Sequence, residues 1–376
     1  MGKVIMVGCD LHEDSMLLKI AVGRGTAETR SVKNTVRGRE SMIADLKRRA
    51  QEGEGARVVF AYEASGQGFG LYDQLSEAGI ECYVLAPTKI ARSPRQRKQK
   101  TDEKDALQLL ELVRGYVLAG NALPAVWIPD PQTRDDRELV RMRVEVGEKV
   151  TGVKAQVQSL LKRNALHRPA GLGRGWTRRF WSWLRCELAE PLDPAGSRLG
   201  GGGRAALGSL LRELAWLEEE EKRLDEALVG LAWSARYAGA VREMTQLCGV
   251  GVLTALVFLT EMGDLSRFGN RRQVGAYLGL VPSSNETGES QDRKGHITHQ
   301  GSRRVRKVLC QATWARVRHS PEEKAVYERI KSKHPKKKKI AVVASMRRLA
   351  IRLWHRGCEA QRGGGGKVPE GAAQAG

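Results

Sequence analysis

The feature that most constrains the fold is a short apolar run near the start of the chain that ends in a carboxylate. The run, residues 4–10, reads Val-Ile-Met-Val-Gly-Cys-Asp, and a polar turn and a second apolar run follow directly. Short runs rich in valine and isoleucine, bounded by turn residues, are typical of buried strands and of a hairpin. Because a buried ionised carboxylate is costly unless it is paired or binds a metal, Asp10 predicts further polar partners.

The chain up to Pro87 alternates between predicted strands and helices. Three strands come first and are followed by helix, strand, helix and strand; the predicted ranges are 4–10, 16–22, 29–34, 39–49, 57–63, 71–78 and 81–86. This order predicts a mixed sheet with helices packed on it, an α/β arrangement. It is the order found in ribonuclease-H-like folds.

Three later carboxylates are predicted to converge on Asp10. Glu63 ends the strand at 57–63, while Asp102 and Asp105 lie three residues apart on a helix that Thr101 can cap, so they share one face. In a ribonuclease-H-like sheet the first and fourth strands are neighbours, and a helix packed across them can add the last two acids. Four such charges repel each other unless cations are present, so we predict a site for two Mg²⁺ ions, with Mn²⁺ as the alternative. Each acid alone could equally be a helix cap or a surface charge.

The charge balance indicates a polyanionic partner. The 376 residues include 64 Lys+Arg and 43 Asp+Glu, a formal net charge of +21. Nucleic acid is the commonest partner of so basic a chain, although a merely soluble basic surface has the same composition. Six scattered cysteines without a C-x-x-C pair indicate neither a disulfide framework nor a zinc site. With no signal peptide and no long apolar run, we expect a soluble intracellular protein without a membrane partner.

Two long helical segments are predicted in the middle of the chain, between residues 131 and 236. Apolar stripes at 132–166 and 204–237 indicate an antiparallel helix pair or a coiled-coil arm. Residues 168–203 between them hold three tryptophans among arginines and end in four glycines. We interpret this stretch as a partly ordered tip or linker, whose tryptophans either stack on single-stranded bases or pack on the arm: Trp176, Trp181 and Trp183.

A second compact region is predicted from residue 237 to residue 355, with a disordered tail at 356–376. Its Gly249-Val250-Gly251 turn between two helices has the shape of a helix-hairpin-helix, in which the backbone approaches a phosphate; an αα-hairpin without a ligand is the alternative. Farther on, a hydroxyl-rich segment precedes a cluster of cations. These cations are predicted to bind nucleic acid: Arg293, Lys294, Arg303, Arg304 and Arg306.

Three motifs in the first half of the chain contain the four acids: Gly-Cys-Asp-Leu-His at 8–12, Tyr-Glu-Ala-Ser-Gly at 62–66 and Thr-Asp-Glu-Lys-Asp-Ala at 101–106. They resemble the DEDD signature of the insertion-sequence-110 transposases, also called Piv-like DNA recombinases. Three motifs in the second half are similar to the same family: Cys-Gly-Val-Gly-Val-Leu-Thr-Ala at 248–255, Tyr-Leu-Gly-Leu-Val-Pro at 277–282 and Gly-His-Ile-Thr-His-Gln-Gly at 295–301. The resemblance spans nearly the whole chain.

The resemblance implies that the chain is divided into three domains. It implies a RuvC-like domain at residues 1–125, then the coiled-coil arm, then a mainly helical C-terminal transposase domain. The implied activity is excision and insertion of a mobile element, in which a structured bridge RNA selects donor and target DNA. It further implies a homo-oligomer, a dimer or tetramer, acting in the prokaryotic cytoplasm at the nucleoid.

The resemblance also implies a serine nucleophile that forms a covalent DNA intermediate beside the metal-bound carboxylates. That serine stands just before a glycine, five residues past the Val-Pro pair. The matching position in this chain is Thr287, so the chain departs from the family pattern. Ser284 is the next candidate, followed by Ser283 and Ser290; the remaining alternative is that none of these hydroxyls serves and this copy of the transposase is inactive.

Two other functions are compatible with the same residues. A junction resolvase would hydrolyse DNA with metal-activated water, and its C-terminal domain would only bind. A basic scaffold would bind nucleic acid without any chemistry.

Overall fold

The amino-terminal part of the chain is built on a five-stranded sheet. Its strands are β1 (Val4–Leu11), β2 (Ser15–Val22), β3 (Glu28–Lys33), β4 (Arg57–Glu63) and β5 (Glu81–Leu85). They lie in the order β3-β2-β1-β4-β5; β1 is antiparallel to β2 and parallel to β4, and β4 is parallel to β5. The mixed sheet predicted from the sequence is therefore confirmed.

The structure is a computed structural model that describes residues 3–91, 101–191, 198–284, 294–333 and 335–363. The chain divides into two compact units between Ile128 and Pro129. The second unit contains both the long helices and the C-terminal region, so a domain division at residue 236 stays a prediction. No helix in the described ranges combines the length and the apolar composition needed to span a bilayer.

Helices cover both faces of the sheet. Side chains alternate between the two faces along a strand, so Val7 and Cys9 of β1 join a buried cluster with helices α1 (Val36–Glu52) and α2 (Gly70–Glu77). Met6 points to the opposite face and joins the cluster of helix α3 (Asp102–Ala119). Any even-numbered side chain of β1, including that of Asp10, therefore belongs to the α3 face.

The second unit is mainly helical, as predicted. Its helices are α4 (Pro131–Arg163), α5 (Arg178–Ser182), α6 (Gly201–Ala232), α7 (Ala238–Thr245), α8 (Val252–Met262), α9 (Arg271–Tyr277), α10 (Arg303–His319), α11 (Pro321–Lys333) and α12 (Lys338–Gly363). Two short strands, β6 (Pro282–Ser284) and β7 (Lys294–Ile297), pair antiparallel. Because α12 continues to Gly363, the prediction of a disordered tail from residue 356 is wrong for residues 356–363.

The two long helices, α4 and α6, form an antiparallel pair. Arg143 of α4 contacts Asp225 of α6, and Lys154, farther along α4, contacts Glu218, so residue numbers rise on one helix as they fall on the other. Besides these ion pairs, the two helices share an apolar buried cluster of Val146, Val150, Val153, Leu214 and Leu217. The antiparallel pair matches the sequence prediction, and its supercoiling into a coiled coil stays a prediction.

The glycine run before α6 does not form the predicted linker. Gly200 is the N-cap of α6, and Gly201, Gly202 and Gly203 form its first turn. Glycine is among the residues that are accepted at an N-cap, whereas the three glycines of the first turn cost conformational entropy that the rest of the helix must offset.

A buried ion pair joins α4 to α8. Glu261 is 8% exposed, and Arg141 donates to it with a 2.8 Å hydrogen bond. Burial raises the pKa of Glu261, but the hydrogen bond and charge of Arg141 outweigh that effect, so the pKa lies below the ordinary 4.5. A lowered folded-state pKa stabilises the protein at pH above the unfolded-state value, and this contribution is lost as the pH falls through the folded-state value.

We therefore expect Glu261→Gln to lower the free energy of unfolding by about 1–2 kcal/mol at pH 7, discounted because Arg141 is partly exposed. The difference from the wild type should shrink below pH 4.5. Urea unfolding at pH 7 and at pH 3.5 measures both. A difference that stays constant over this range would mean that the charge of Glu261 does not contribute.

Candidate metal centre

Helix α3 packs directly on strand β1 at Gly8. A Cβ built on Gly8 would lie 2.2 Å from the backbone nitrogen of Leu110 and 2.4 Å from the carbonyl oxygen of Ala106. Only a glycine permits so close an approach. Because Asp10 lies two residues beyond Gly8, on the same face of the strand, this approach brings the first turn of α3 close to Asp10.

The first turn of α3 is capped as the sequence predicts. The hydroxyl of Thr101 accepts a hydrogen bond from the backbone N–H of Lys104. The turn then carries Asp102, Glu103 and Asp105, where the helix dipole favours negative charge. Lys19 of β2 forms an ion pair with Glu103 at 3.6 Å and further ties this turn to the sheet.

Asp10, His12 and Asp102 form a compact cluster at the end of β1. Their potential ligand atoms all lie within 4.8 Å of one another. Nε2 of His12 is 3.0 Å from Oδ2 of Asp10 and 3.6 Å from Oδ1 of Asp102. A carboxylate only accepts hydrogen bonds, so Nε2 donates to Asp10.

The other two predicted acids lie at the same end of the sheet. Cys9 pairs with Tyr62 on the parallel strand, so the next residue of each strand, Asp10 and Glu63, lie side by side on the α3 face. Asp105 is 7% exposed in the first turn of α3, and its charge acts on Asp10. The topology thus places the four acids at the same end of the sheet, where Asp10 and Asp102 belong to the 4.8 Å cluster and Glu63 and Asp105 do not. The catalytic role of all four stays a prediction.

The electrostatics of the cluster favour a bound cation. Burial raises the pKa of Asp10, and the nearby charges of Asp105 and Asp102 raise it further, while the hydrogen bond from His12 opposes them. A positive charge at this position would stabilise all three carboxylates. Carboxylate oxygens are ligands that suit Mg²⁺ and Mn²⁺, so the donor set fits the predicted divalent cation.

His12 is the member of the cluster that the sequence analysis did not select. Two hydrogen bonds of its backbone hold His12 in the turn after β1. The backbone N–H of His12 donates to the backbone carbonyl of Ser15, and the backbone carbonyl of His12 accepts from the side-chain amide of Asn34. Arg39 donates in turn to Asn34 at 2.7 Å. The available signal was the spacing, since a residue two positions after Asp10 emerges on the same side of an extended chain.

The predicted nucleophile region is described only in part. Thr287, Ser290 and Arg293 lie outside the described residues, and for Ser284 and Lys294 the structure describes the strand backbone only. Ser283 is exposed in β6 and donates to the carbonyl of His296 at 3.0 Å. The choice of nucleophile stays a prediction.

Two of the predicted nucleic-acid ligands make internal contacts. Arg304 forms an ion pair with Glu145 of α4. Arg306 donates to the carbonyls of Leu278, Gln300 and Gly301, so it holds the loop before α10. Arg303 is exposed in the first turn of α10, and of these three arginines it is the one best placed for an external partner.

The glycine turn between α7 and α8 is shaped by packing. Gly249 has φ +77°, and a Cβ there would lie 2.8 Å from the carbonyl oxygen of Ala312 in α10. Internal packing therefore suffices to explain Gly249. Gly251 is the exposed N-cap of α8, and the helix-hairpin-helix role of this turn stays a prediction.

Two models of known protein families match this chain, one in each half. A model for IS110-type DEDD proteins, described as "Transposase", matches residues 7–165. A model described as "Transposase IS116/IS110/IS902 family" matches residues 241–328. The first match contains the acidic cluster, and the second contains the glycine turn and the strand β6.

Individual relatives carry the same description. "Putative transposase y4qE" of Sinorhizobium fredii is 35% identical over 68% of this chain and 58% of that protein. "Putative transposase y4rJ" of the same organism is 30% identical over 85% of this chain and 82% of that protein. "Transposase for insertion sequence element IS1533" of Leptospira borgpetersenii is 26% identical over 73% of this chain and 74% of that protein. The chain thus spans less than two thirds of the first of these relatives and most of the second.

Proposed function

The chain belongs to the IS116/IS110/IS902 transposase family, and on that premise we propose that it excises and inserts a mobile element by cutting and rejoining DNA strands. The observation that supports this proposal most is the meeting of Asp10, His12 and Asp102 within 4.8 Å. Acidic clusters of this kind serve metal-assisted phosphoryl transfer.

The four acids are proposed to act as one binding site for Mg²⁺, with Mn²⁺ as a substitute. Asp10, Glu63, Asp102 and Asp105 would hold the ions, which when bound supply positive charge to a phosphate at the point of cleavage. The protein would hold these acids on regular secondary structure, because Asp10 and Glu63 lie at the ends of adjacent strands and Asp102 and Asp105 lie in the first turn of a capped helix. Rigid elements hold ligands more accurately than loops do.

The nucleophile is proposed to be the hydroxyl of Thr287, which occupies the position of the family's serine. We expect Thr287→Ala to abolish a covalent protein–DNA adduct and Thr287→Ser to retain it, because serine carries the same hydroxyl without the methyl group that crowds an attack on phosphorus. The measurement is a denaturing gel of labelled nicked duplex after incubation with protein and Mg²⁺. Ser284→Ala is the matched control and should form the adduct as the wild type does.

Other outcomes of that experiment select a different function. Nicked DNA without an adduct, in the wild type and under every condition, would indicate a water nucleophile, as in a junction resolvase. An adduct lost in Ser284→Ala and kept in Thr287→Ala would move the nucleophile to the neighbouring serine.

The proposed partners follow from the same family. Donor and target DNA are the substrates, a structured bridge RNA is the proposed guide, and bringing two DNA ends together requires a homo-oligomer. The net charge of +21 is consistent with polyanionic partners.

A further inference from the structure

The end of the helix pair far from helix α10 is strongly basic. Residues 149–186 contain nine lysines and arginines and no aspartate or glutamate. In contrast, residues 213–226 of α6 contain seven acids and only two cations. The helix pair is therefore segregated by charge, and Lys154, which contacts Glu218 at 2.7 Å, lies where the two regions meet. We call residues 162–185 the basic tip.

The basic tip is an ordered platform. Phe180, Trp183 and Leu184 are buried in a cluster with the ends of α4 and α6. The guanidinium of Arg168 lies 3.4 Å from the centre of the Phe180 ring and donates to the carbonyls of Gly173 and Gly175. These contacts fix the loop that leads into α5.

The tryptophans of the tip serve this packing. Trp176 makes edge contacts with Phe180 and Trp181, and Trp183 is 7% exposed. The alternative that these rings stack on single-stranded bases is therefore disfavoured, because stacking needs exposed ring faces. The part of the tip that remains available to a partner is its set of charges.

Five cations of the tip are exposed and make no ion pair with a described residue: Lys162, Arg163, Arg174, Arg178 and Arg179. Folding gives these five charges no ion-pair partner among the described residues, and residues 162–185 contain seven cations and no acid. Like charges concentrated in this way repel one another, and a polyanion would relieve that repulsion.

We propose that the basic tip binds the phosphate backbone of duplex DNA, as a second contact separate from the acidic cluster. Along α4, Arg163 lies 15 residues beyond Glu148, which contacts Lys307 of α10, a separation of about 22 Å. The tip therefore reaches a segment of DNA away from any segment that α10 contacts. Exposed cations without exposed rings favour a duplex over a single strand. Only the choice of DNA rests on the proposed function.

The test compares two variants of the full chain that remove equal charge. The tip variant carries Lys162→Gln, Arg174→Gln, Arg178→Gln and Arg179→Gln. The control variant removes four exposed cations of the first unit that make no ion pair with a described residue: Arg24→Gln, Lys33→Gln, Arg37→Gln and Lys47→Gln. Affinity for a duplex DNA is measured between 50 and 200 mM salt in EDTA, so that the acidic cluster plays no part. Circular dichroism checks that both variants fold.

We expect the slope of log K against log salt to fall by about 3–4 in the tip variant, since each lost phosphate contact removes about 0.9. Across this salt range the wild type would then lose about a hundredfold more affinity than the tip variant does. The control should keep the wild-type slope. An unchanged slope in the tip variant, or a loss confined to RNA or to single strands, would overturn the inference. Strand cleavage with Mg²⁺ is scored separately, so failure of the proposed function would be recognised independently.

Discussion

Asp10→Asn should reduce DNA strand cleavage by at least about a thousandfold while the fold stays intact. The carboxylate lies in the cluster of Asp10, His12 and Asp102, and a site of this kind supplies several kcal/mol of charge stabilisation, each 1.36 kcal/mol being tenfold in rate. The amide keeps the shape of the side chain and the hydrogen bond that it accepts from His12. Burial and like charges raise the pKa of Asp10. In the protein without a bound cation, the neutral amide therefore removes an unfavourable buried negative charge.

Two measurements separate this result from unfolding. Cleavage of labelled duplex reports the reaction, and calorimetric titration with Mn²⁺ reports binding of the cation independently of any reaction. Asp14→Asn, at an exposed position of the turn after β1, is the matched control and should change neither. Cleavage that survives Asp10→Asn would remove the acidic cluster from the chemistry and favour a nucleic-acid-binding scaffold.

Gly8→Ala should destabilise the first unit by about 1–3 kcal/mol and also impair cleavage. The added methyl group would meet the backbone of α3 at 2.2 and 2.4 Å, and a backbone cannot move aside as a flexible side chain can. The helix must therefore shift, and its first turn carries Asp102 and Asp105. A displacement of about 1 Å at a catalytic group can cost a hundredfold in rate.

Chemical denaturation measures the stability, and the cleavage assay measures the rate on the fraction that is folded. Gly152→Ala is the control, because a Cβ at Gly152, within α4, meets nothing within 4 Å. Alanine there should stabilise the helix by about 0.5–1 kcal/mol. If Gly8→Ala were as stable and as active as the wild type, the close approach of α3 to β1 would not be what positions the acids.

The sequence predicted those parts of the site that depend on local patterns. Asp10 and Glu63 end strands that are recognisable from valine-rich runs, and Thr101 caps α3 as its position before three acids suggests. Neighbouring carboxylates at strand ends then follow from the order of strands. These features need no knowledge of which side chains meet across the fold.

The features that the sequence did not predict are non-local. His12 joins the cluster because the turn after β1 and Asn34 together orient it. Arg304 forms an ion pair with Glu145, 159 positions earlier in the chain. The residues around Arg304 in the sequence therefore could not indicate this pair. The close approach at Gly8 likewise depends on the height at which α3 crosses β1.

The separation of charge along the α4–α6 pair has a kinetic consequence. The basic tip lies at one end of the pair, and the excess of acids lies farther along it, in residues 213–226 of α6. Such a distribution of charge is an electric dipole, and a dipole turns in the field of a polyanion. Near DNA the basic tip would be drawn inward while the acid-rich part of α6 is repelled. The helix pair would thus arrive already oriented, which raises the fraction of collisions that lead to productive encounters and makes the association rate fall as salt is added.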